Sequence, residues 1–347
     1  MLPVAEGRAV TIQDVARVAG VSAATVSRVL NGRSSVDADM ASRVRQAVAD
    51  TRYVPNSNGR ALRRQVSDVW AAIVSDVQNP FFTGMVASLE AVAAQRGLSV
   101  MLCNTDEHVS RERVYIQTAI AQRMAGVVIA AASAKQSNLT PLIAAGIPVV
   151  VVDRRVDSYA GDTVFVDNYL AGRLAAEHLM QMGYHRIACI AGPSEVSTTE
   201  ERLAGFRDAL AKGKNPVSSS MVRRANLRPE GGEVAMRGLL ASAHRPDAVF
   251  ATNGPLTVGA YRAIQAEGLA MPHDIALVGT DDDQWTRMVV PGVSVIRQPV
   301  AEMGALAAEL LLSRGSTSHS APQHIVLDPE LLVRVSSAAQ PGAAAAR

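Results

Sequence analysis

The chain has 347 residues, of which 48% are hydrophobic and 19% are charged. This length exceeds one ordinary core and predicts two or three domains, and no apolar run is long enough to cross a bilayer. The net charge of +2 hides an asymmetry, because residues 1–65 contain ten arginines against five acidic residues while the remainder is slightly acidic. A basic N-terminal segment followed by a slightly acidic remainder is typical of a polyanion-binding module joined to a domain of another function.

The first predicted elements are two short amphipathic helices on either side of a tight turn. Thr11 is the predicted N-cap of the first helix, with Asp14 in its first turn. Gly20 supplies the turn, where a positive φ costs glycine little, and Ser22 is predicted to cap the second helix. The apolar positions that share the inner faces are Ile12, Val15, Ala16, Ala19, Val26, Val29 and Leu30. The pattern predicts a helix-turn-helix, although a plain helical hairpin has the same periodicity.

The outer face of the second helix carries small and polar side chains. It consists of Ala23, Ala24, Thr25, Ser27 and Arg28. Small side chains allow a helix to enter a groove, hydroxyls bind phosphates, and an arginine can donate two hydrogen bonds to guanine. These residues, with Thr11 and Asn31 at the two ends of the motif, are the expected DNA contacts of the headpiece.

A third helix is predicted over Val36–Asp50, with Met40, Val44 and Val48 on one face, and Pro55 disfavours helix at the residue before it. Thr11–Asn31, together with Tyr53-Val-Pro-Asn56 and Arg60-Ala-Leu62, resembles the headpiece of the LacI/GalR family of bacterial transcription regulators. Motifs in the family's order follow to about residue 337, and they are Asn79-Pro-Phe-Phe82, Val166-Asp-Asn168, Gly183-Tyr-His-Arg-Ile187, Arg202-Leu-Ala-Gly-Phe206, Val278-Gly-Thr-Asp-Asp282 and Arg297-Gln-Pro299.

The resemblance implies a linker that becomes helical only on DNA. Leu62 would enter the minor groove and kink the duplex, as inserted apolar side chains do, and Asn56 and Arg60 are further expected DNA contacts. A surface leucine between two domains is the alternative interpretation of Leu62. Gly59 stands where the family usually has alanine, which should make the linker helix harder to order by about 1 kcal/mol.

Beyond residue 66, short apolar runs alternate with helical stretches. The runs are Val69–Ser75, Leu98–Cys103, Gly126–Ala130, Val149–Val152, Arg186–Ile190, Ala248–Ala251 and Ile275–Val278, and the helical stretches include Gly84–Gln95, Arg111–Gln122 and Ala171–Met182. Continuous Val, Ile and Leu strands separated by helices predict parallel sheets covered on both faces. The length requires two such sheets, and the resemblance implies two similar lobes hinged around a cleft.

The expected organisation is an all-α helix-turn-helix headpiece at 1–55, a linker at 56–65 and an α/β core at 66–337 with two periplasmic-binding-protein-like lobes. The chain is expected to cross between the lobes near Val166-Asp167, Gln298-Pro299 and Ile325. These crossings assign 66–166 and 298–324 to the N-lobe, and 167–297 and 325–337 to the C-lobe. Residues 338–347 are expected to form a disordered tail.

The family motifs place an arginine and an aspartate in the cleft. Arg202 matches the effector-clamping arginine of the family, and its five donors suit hydroxyls or a carboxylate, whereas most helix arginines are simply solvated. Asp281 matches the acceptor of the Gly-x-Asp-Asp turn and would accept hydrogen bonds from adjacent hydroxyls. Thr280 stands where an aromatic residue is commoner. No histidine or spaced carboxylate accompanies Asp281–Asp283, so no metal and no cofactor is expected.

Two aromatic residues, Phe81 and Phe82, follow the first core strand at the end where open α/β sheets bind ligands. At least one of them is expected to contact the effector. The remaining expected effector contacts are weaker, and they are Asp153, Thr198, Asn253 and Trp285, the last of which could serve a dimer interface instead. Leu227 stands where several relatives have an aromatic residue, so a sugar or sugar acid is favoured over a nucleobase.

Two other classes of protein were considered. No nucleotide-binding glycine fingerprint, Walker loop, Gly-x-Ser-x-Gly or His-Glu-x-x-His motif is present, which argues against an enzyme. A sugar-binding transport protein needs a secretion signal, and the segment Met1–Val10 has no apolar signal-like core. The expected protein is a cytoplasmic homodimer that binds pseudo-palindromic operator DNA and a small effector, with Cys103 and Cys189 as buried reduced thiols.

Overall fold

The computed structural model describes residues 10–30, 36–53, 66–315 and 321–338. The chain forms two compact units, Met1–Ser67 and Asp68–Arg347. Within the described residues the first unit is helical, and the second contains two six-stranded sheets with helices around them.

Residues 10–30 and 36–53 of the headpiece form three helices, α1 (Ile12–Ala19), α2 (Ala23–Leu30) and α3 (Ala38–Thr51). Their buried contact is made by Val15, Ala16, Ala19, Val26, Val44 and Ala47, with Val29, Leu30 and Val48 packed against them. The predicted inner faces of α1 and α2 are therefore confirmed, as are Val44 and Val48 of α3, whereas Met40 is not part of this cluster. The third helix begins after Asp37, whose side chain accepts from the backbone of Asp39 and Met40, rather than at Val36.

The core strands are β1 (Val69–Val74), β2 (Ser99–Asn104), β3 (Gly126–Ile129), β4 (Val149–Val152), β5 (Asp162–Val166), β6 (Ile187–Ala191), β7 (Val222–Arg224), β8 (Ala248–Ala251), β9 (Ala276–Thr280), β10 (Ser294–Arg297), β11 (His324–Leu327) and β12 (Glu330–Leu332). The core helices are α4 (Pro80–Ala94), α5 (Val109–Ala121), α6 (Thr140–Ala144), α7 (Asn168–Gln181), α8 (Ser197–Lys212), α9 (Pro229–Leu240), α10 (Gly254–Ala266), α11 (Gln284–Met288) and α12 (Val300–Gly315).

The N-lobe sheet has the strand order β11-β5-β4-β3-β1-β2 and is parallel throughout. Its two faces are covered because alternate residues of a strand point to opposite sides. Trp70 of β1 packs with α4 and α12 on one face. Ile73 packs with α5 and α6 on the other face. Both faces of the strands are apolar, as the continuous hydrophobic runs predicted.

The C-lobe sheet has the order β12-β10-β9-β8-β6-β7. Helices α7 and α8 pack on one face, and α9 and α10 on the other. Five strands run parallel, and β12 pairs antiparallel with β10 at the edge. This edge strand is a departure from the expected parallel sheet, and it follows β11 of the N-lobe without an intervening helix.

The chain passes between the sheets three times. It leaves the first sheet after Val166, returns to it after Arg297 and leaves it finally after Leu327. The expected third crossing near Ile325 was too early, because all four residues of β11 pair with β5. The expected tail also began one residue too early, since the carbonyl of Ala338 accepts a 2.7 Å hydrogen bond from Tyr184. Residues 339–347 lie outside the described residues.

Candidate effector site and DNA-binding helices

The helix-turn-helix is fixed by the capping residues that the sequence predicted. The Thr11 hydroxyl accepts from the Asp14 amide at 3.4 Å, and the Asp14 carboxylate accepts from the Thr11 amide at 3.0 Å, which is a reciprocal capping box. Hydrogen bonds from Thr11 lower the pKa of Asp14 to about 2. Gly20 has φ of +65° in the turn, and Ser22 caps α2 by accepting from the Thr25 amide at 3.1 Å.

The side chains on the outer face of α2 differ in their exposure to solvent. Ala24 and Arg28 are exposed, whereas Thr25 and Ser27 are half-buried. Ala23 is also half-buried and packs against the headpiece core, so its methyl group has less surface free for DNA than the sequence pattern indicated. The predicted contacts Asn31, Asn56, Arg60 and Leu62, and also Gly59, lie outside the described residues.

The cleft of the core lies where strands of the two sheets end. One aspartate from each lobe follows such a strand end, Asp153 after β4 and Asp281 after β9. Both adopt left-handed backbone conformations, with φ of +60° and +71° respectively, a region that non-glycine residues rarely occupy outside functional or turn positions. Burial raises the pKa of Asp153, and it raises the pKa of Asp281 to about 6.

Arg202 occupies the C-lobe side of the cleft and is only 4% exposed. Its guanidinium donates to the side chain of Asn168 at 2.8 Å, to the carbonyl of Thr252 at 2.7 Å and to the side chain of Gln298 at 2.8 Å. All three acceptors are neutral, and burial lowers the pKa of this guanidinium. Gln298 in turn donates to Asp281 at 2.6 Å. The amide of Gln298 therefore bridges the arginine and the aspartate that the sequence singled out.

Arg154 is the corresponding cation of the N-lobe. Its guanidinium forms a bidentate ion pair with Glu107, in which NH2 donates at 2.8 Å. Its Nε is buried without a hydrogen-bond partner and lies 3.6 Å from the carboxylate of Asp153, with which it forms an ion pair. Oδ1 of Asn253 is also buried without a hydrogen-bond partner. Buried polar atoms are normally satisfied. The cleft therefore offers one donor and one acceptor that make no hydrogen bond within the protein, and a hydroxylated ligand could satisfy both.

Most of the predicted effector residues line one small void between the lobes. Its lining is Asn79, Phe81, Phe82, Asp153, Arg154, Thr198, Thr199, Arg202, Leu227, Asn253, Asp281 and Gln298. The void measures about 20 Å³, which is room for a single water molecule. A void of this size does not admit a ligand with a ring.

Two predicted features of this wall differ from the structure. Trp285 lies away from the void, on a separate cavity of about 190 Å³, where it packs edge-on against Tyr261 with ring centroids 5.4 Å apart. Thr280 is buried and donates to the carbonyl of Ala251 at 2.9 Å, so it belongs to the core instead of the void wall.

The two phenylalanines both line the void. They belong to the first turn of α4, which begins at Pro80 after the N-cap Asn79 and not at Gly84 as predicted. Both are buried in the N-lobe core, with ring centroids 5.1 Å apart. Gln298, Asn168, Asn79 and Thr199 also belong to the site or contact it but were not among the predicted residues, although the first three lie within the family motifs.

Cys103 and Cys189 are buried free thiols, as expected. Within the described ranges, no three His, Cys, Asp or Glu side chains are grouped as ligands for a metal ion. No helix in the described part of the chain is long and apolar enough to cross a membrane.

A helix-turn-helix unit followed by two hinged α/β lobes around a polar cleft defines the class of DNA-binding regulators that respond to a small molecule. The lobes supply the bistable element that such a response requires, because a ligand that prefers one lobe arrangement shifts the population.

Comparison with known proteins agrees with this class. Residues 11–56 match the family described as "Bacterial regulatory proteins, lacI family". Residues 67–325 match "Periplasmic binding proteins and sugar binding domain of LacI family". The chain is 35% identical to the HTH-type transcriptional regulator GalR of Salmonella typhimurium, covering 93% of this chain and 95% of that protein. It is 31% identical to the ribose operon repressor of Haemophilus influenzae, covering 94% and 98%.

Among solved structures, the lac repressor dimer bound to operator and the anti-inducer ONPF superposes with a TM-score of 0.86 at 27% identity, covering 96% of this chain and all of that one. A complex of the transcriptional regulator CelR with cellobiose has a TM-score of 0.72 at 30% identity, covering 94% and 99%. The chain belongs to the lacI family of bacterial regulatory proteins, and it is a DNA-binding transcription regulator whose core responds to a small effector.

Proposed function

We propose that this regulator is a repressor that binds pseudo-palindromic operator DNA as a homodimer, and that a neutral sugar bound between its lobes controls operator affinity. The observation that carries the effector class is the set of polar groups around the void. The guanidiniums of Arg202 and Arg154 carry donors, and Asp281, Asp153 and Oδ1 of Asn253 carry acceptors. A ring bearing several hydroxyl groups matches such mixed donors and acceptors.

The charges around the void favour a neutral ligand over an acid. Arg154 is already paired with Glu107. Arg202 faces two carboxylates, Asp153 and Asp281, whose charges act on it favourably. A ligand carboxylate or phosphate would therefore meet three protein carboxylates and two guanidiniums in a buried site, where an uncompensated negative charge is costly. Of the sugar and sugar-acid alternatives, we therefore favour the sugar.

Relatives support the same class. The curated relatives include ribose operon repressors and GalR, and one similar structure contains cellobiose. Phe81 and Phe82 supply the apolar side of the void, but Leu227 on its other side is not aromatic. A flat nucleobase would lack a second stacking partner there, so a nucleobase is the less favoured effector.

We propose that the DNA contacts are the outer face of α2, namely Ala23, Ala24, Thr25, Ser27 and Arg28, together with Thr11, Asn31, Asn56, Arg60 and Leu62. Arg28 is the exposed residue there that can read guanine. We propose further that the protein acts in the cytoplasm, where its operator is, and that it has no catalytic activity of its own.

Calorimetry with three sets of compounds tests the effector class. The sets are neutral pentoses and hexoses, the matching sugar acids, and purine bases. We expect binding from the neutral set only, and each binder should alter the affinity of the full-length protein for DNA selected from a random pool. Binding of purines alone, or sugar binding that leaves DNA affinity unchanged, would contradict the proposal.

A further inference from the structure

One arginine of the C-lobe reaches across the cleft to two aspartates of the N-lobe. Arg228 directly precedes α9, and its NH1 donates to the carboxylate of Asp76 while its NH2 donates to that of Asp106. Asp76 follows β1 and Asp106 follows β2. A guanidinium with two parallel donors suits two carboxylates held side by side. These contacts exist only when the lobes are close together.

The N-lobe half of this contact is held in place by its own lobe. Asp76 is 5% exposed, and its other oxygen accepts from the amide of Gln78 at 2.9 Å. Asp106 has φ of +51° and its neighbour Glu107 has φ of +62°, so two successive non-glycine residues are left-handed. Backbone strain of this kind persists where the surrounding structure requires it. The carboxylates are thus aimed at the cleft by local backbone geometry.

The contact adjoins the effector void on both lobes. Asp106 binds Arg228, and the next residue, Glu107, binds Arg154 of the void wall. Arg228 binds the aspartates, and the preceding residue, Leu227, also lines the void. The cross-lobe contact is therefore adjacent in sequence to the void on both lobes. Asp106 precedes Glu107, which binds a residue of the void wall, and Arg228 follows Leu227, which lines the void.

We infer that Arg228, Asp76 and Asp106 form a latch that holds the lobes together over a bound effector and sets its residence time. Arg228 is in this sense a positioning residue, and the inference rests on the proposed sugar effector. When the lobes part, the three charged groups regain water. When the lobes close, these groups lose their hydration and form ion pairs, and dissolved salt weakens those ion pairs. The affinity for a sugar consequently depends on ionic strength, although the sugar itself carries no charge.

The test compares full-length wild type with Arg228→Met, using the tightest neutral sugar from the calorimetric panel. In the variant we expect the sugar to dissociate about tenfold faster with little change in association, because interface changes act mainly on dissociation. For wild type, affinity should fall as salt rises from about 0.05 M to about 0.5 M, and the variant should lose most of that dependence. A second cross-lobe pair, Arg155 with Glu201, is more exposed and accounts for the remainder.

Arg111→Met is the matched control. Arg111 also contacts Asp106, at 3.1 Å, but belongs to the same lobe, so its loss should leave dissociation and salt dependence close to wild type. Arg228→Lys should have a residence time between those of Arg228→Met and wild type. If Arg228→Met folds poorly, Asp106→Asn serves in its place and should show the same faster dissociation. Equal dissociation rates and salt dependence in wild type and Arg228→Met would overturn the latch. Failure of wild type to bind any sugar would instead refute the proposed function.

Discussion

The headpiece and the core hold their functional side chains in opposite ways. Arg28 of the headpiece is exposed on a helix whose inner face is closed by a few Val and Ala residues. Arg202 of the core is 4% exposed and is hydrogen-bonded to groups that come from three distant parts of the chain. Substitutions in the headpiece should therefore act independently of one another, whereas those in the cleft should be strongly coupled.

The largest expected effect separates the two units completely. Removing residues 1–65 should abolish DNA binding while the remaining chain folds and binds its effector, because the core has its own two apolar layers around each sheet. Electrophoretic shift and calorimetry on the truncated protein measure both properties. A core that still recognised operator specifically would contradict the assignment of DNA binding to the headpiece.

The next largest effect concerns coupling within the cleft. Arg202→Met should weaken effector binding by about a hundredfold or more, because it leaves buried acceptors and carboxylates without their cation. Asp281→Asn keeps the shape of the side chain and should also weaken binding. The double variant should lose much less than the product of the two losses. Undiminished calorimetric affinity in both single variants would mean that the effector binds elsewhere.

The same two variants distinguish the direction of control. If the effector releases DNA, operator affinity without effector should stay close to wild type and should no longer respond to the sugar. If the effector promotes DNA binding, operator affinity measured with the sugar present should fall with the affinity for the sugar.

Arg28→Ala tests the independence of headpiece residues. Its loss should cost about 1–3 kcal/mol of operator affinity and relax the preference at one base pair per half-site. Thr25→Ala on the same helix should add to this cost almost fully. Equal weakening on every DNA sequence would make Arg28 a phosphate contact rather than a base reader.

A smaller effect is a difference between the two units in how their stability depends on pH. The raised pKa of Asp281, about 6, means that the folded core binds a proton more strongly than the unfolded chain, so stability falls as pH rises through this range. Between about pH 5 and about pH 7, urea denaturation should show wild type losing about 1 kcal/mol relative to Asp281→Asn. Asp14 of the headpiece has a lowered pKa, about 2, so its contribution is complete in this window and is lost only in stronger acid. An equal pH slope in wild type and Asp281→Asn would contradict the buried, protonatable aspartate.

The smallest predicted effect lies in the linker. Gly59→Ala should tighten operator binding by about 1 kcal/mol or less, because alanine favours the helix that the family resemblance implies. Fluorescence anisotropy with labelled operator measures the change. Weaker binding would show that the glycine is needed for close approach of the backbone.

The sequence predicted the headpiece well because its signals are local. The Thr11 cap, the Gly20 turn and the apolar spacing all lie within a few residues of the helices that they define. Strand β4 was predicted at its observed bounds for the same reason, since Val149–Val152 is a continuous apolar run. Strand β12 was not, because its three residues pair at the sheet edge and have little pattern of their own.

The cleft was predicted in part, because most of its residues follow strands but their assembly depends on long-range packing. Asp153 and Asp281 come together in the void lining as expected, whereas Trp285 points to another cavity although it is only four residues beyond Asp281. The start of α4 could have been predicted from Asn79-Pro80, an N-cap followed by proline at the first helical position. Gln298 had no such signal, because its role arises from two partners that are distant in sequence.

Gln298 has a consequence for engineering chimeric regulators. Its backbone belongs to the segment that joins the lobes, while its side chain binds both Arg202 and Asp281. The two side chains that we propose to bind the effector are therefore hydrogen-bonded directly to the segment between the lobes, through one amide. We expect that a headpiece can be exchanged between relatives as a unit, because it has its own core. We also expect that a new effector specificity requires changes at residue 298 as well.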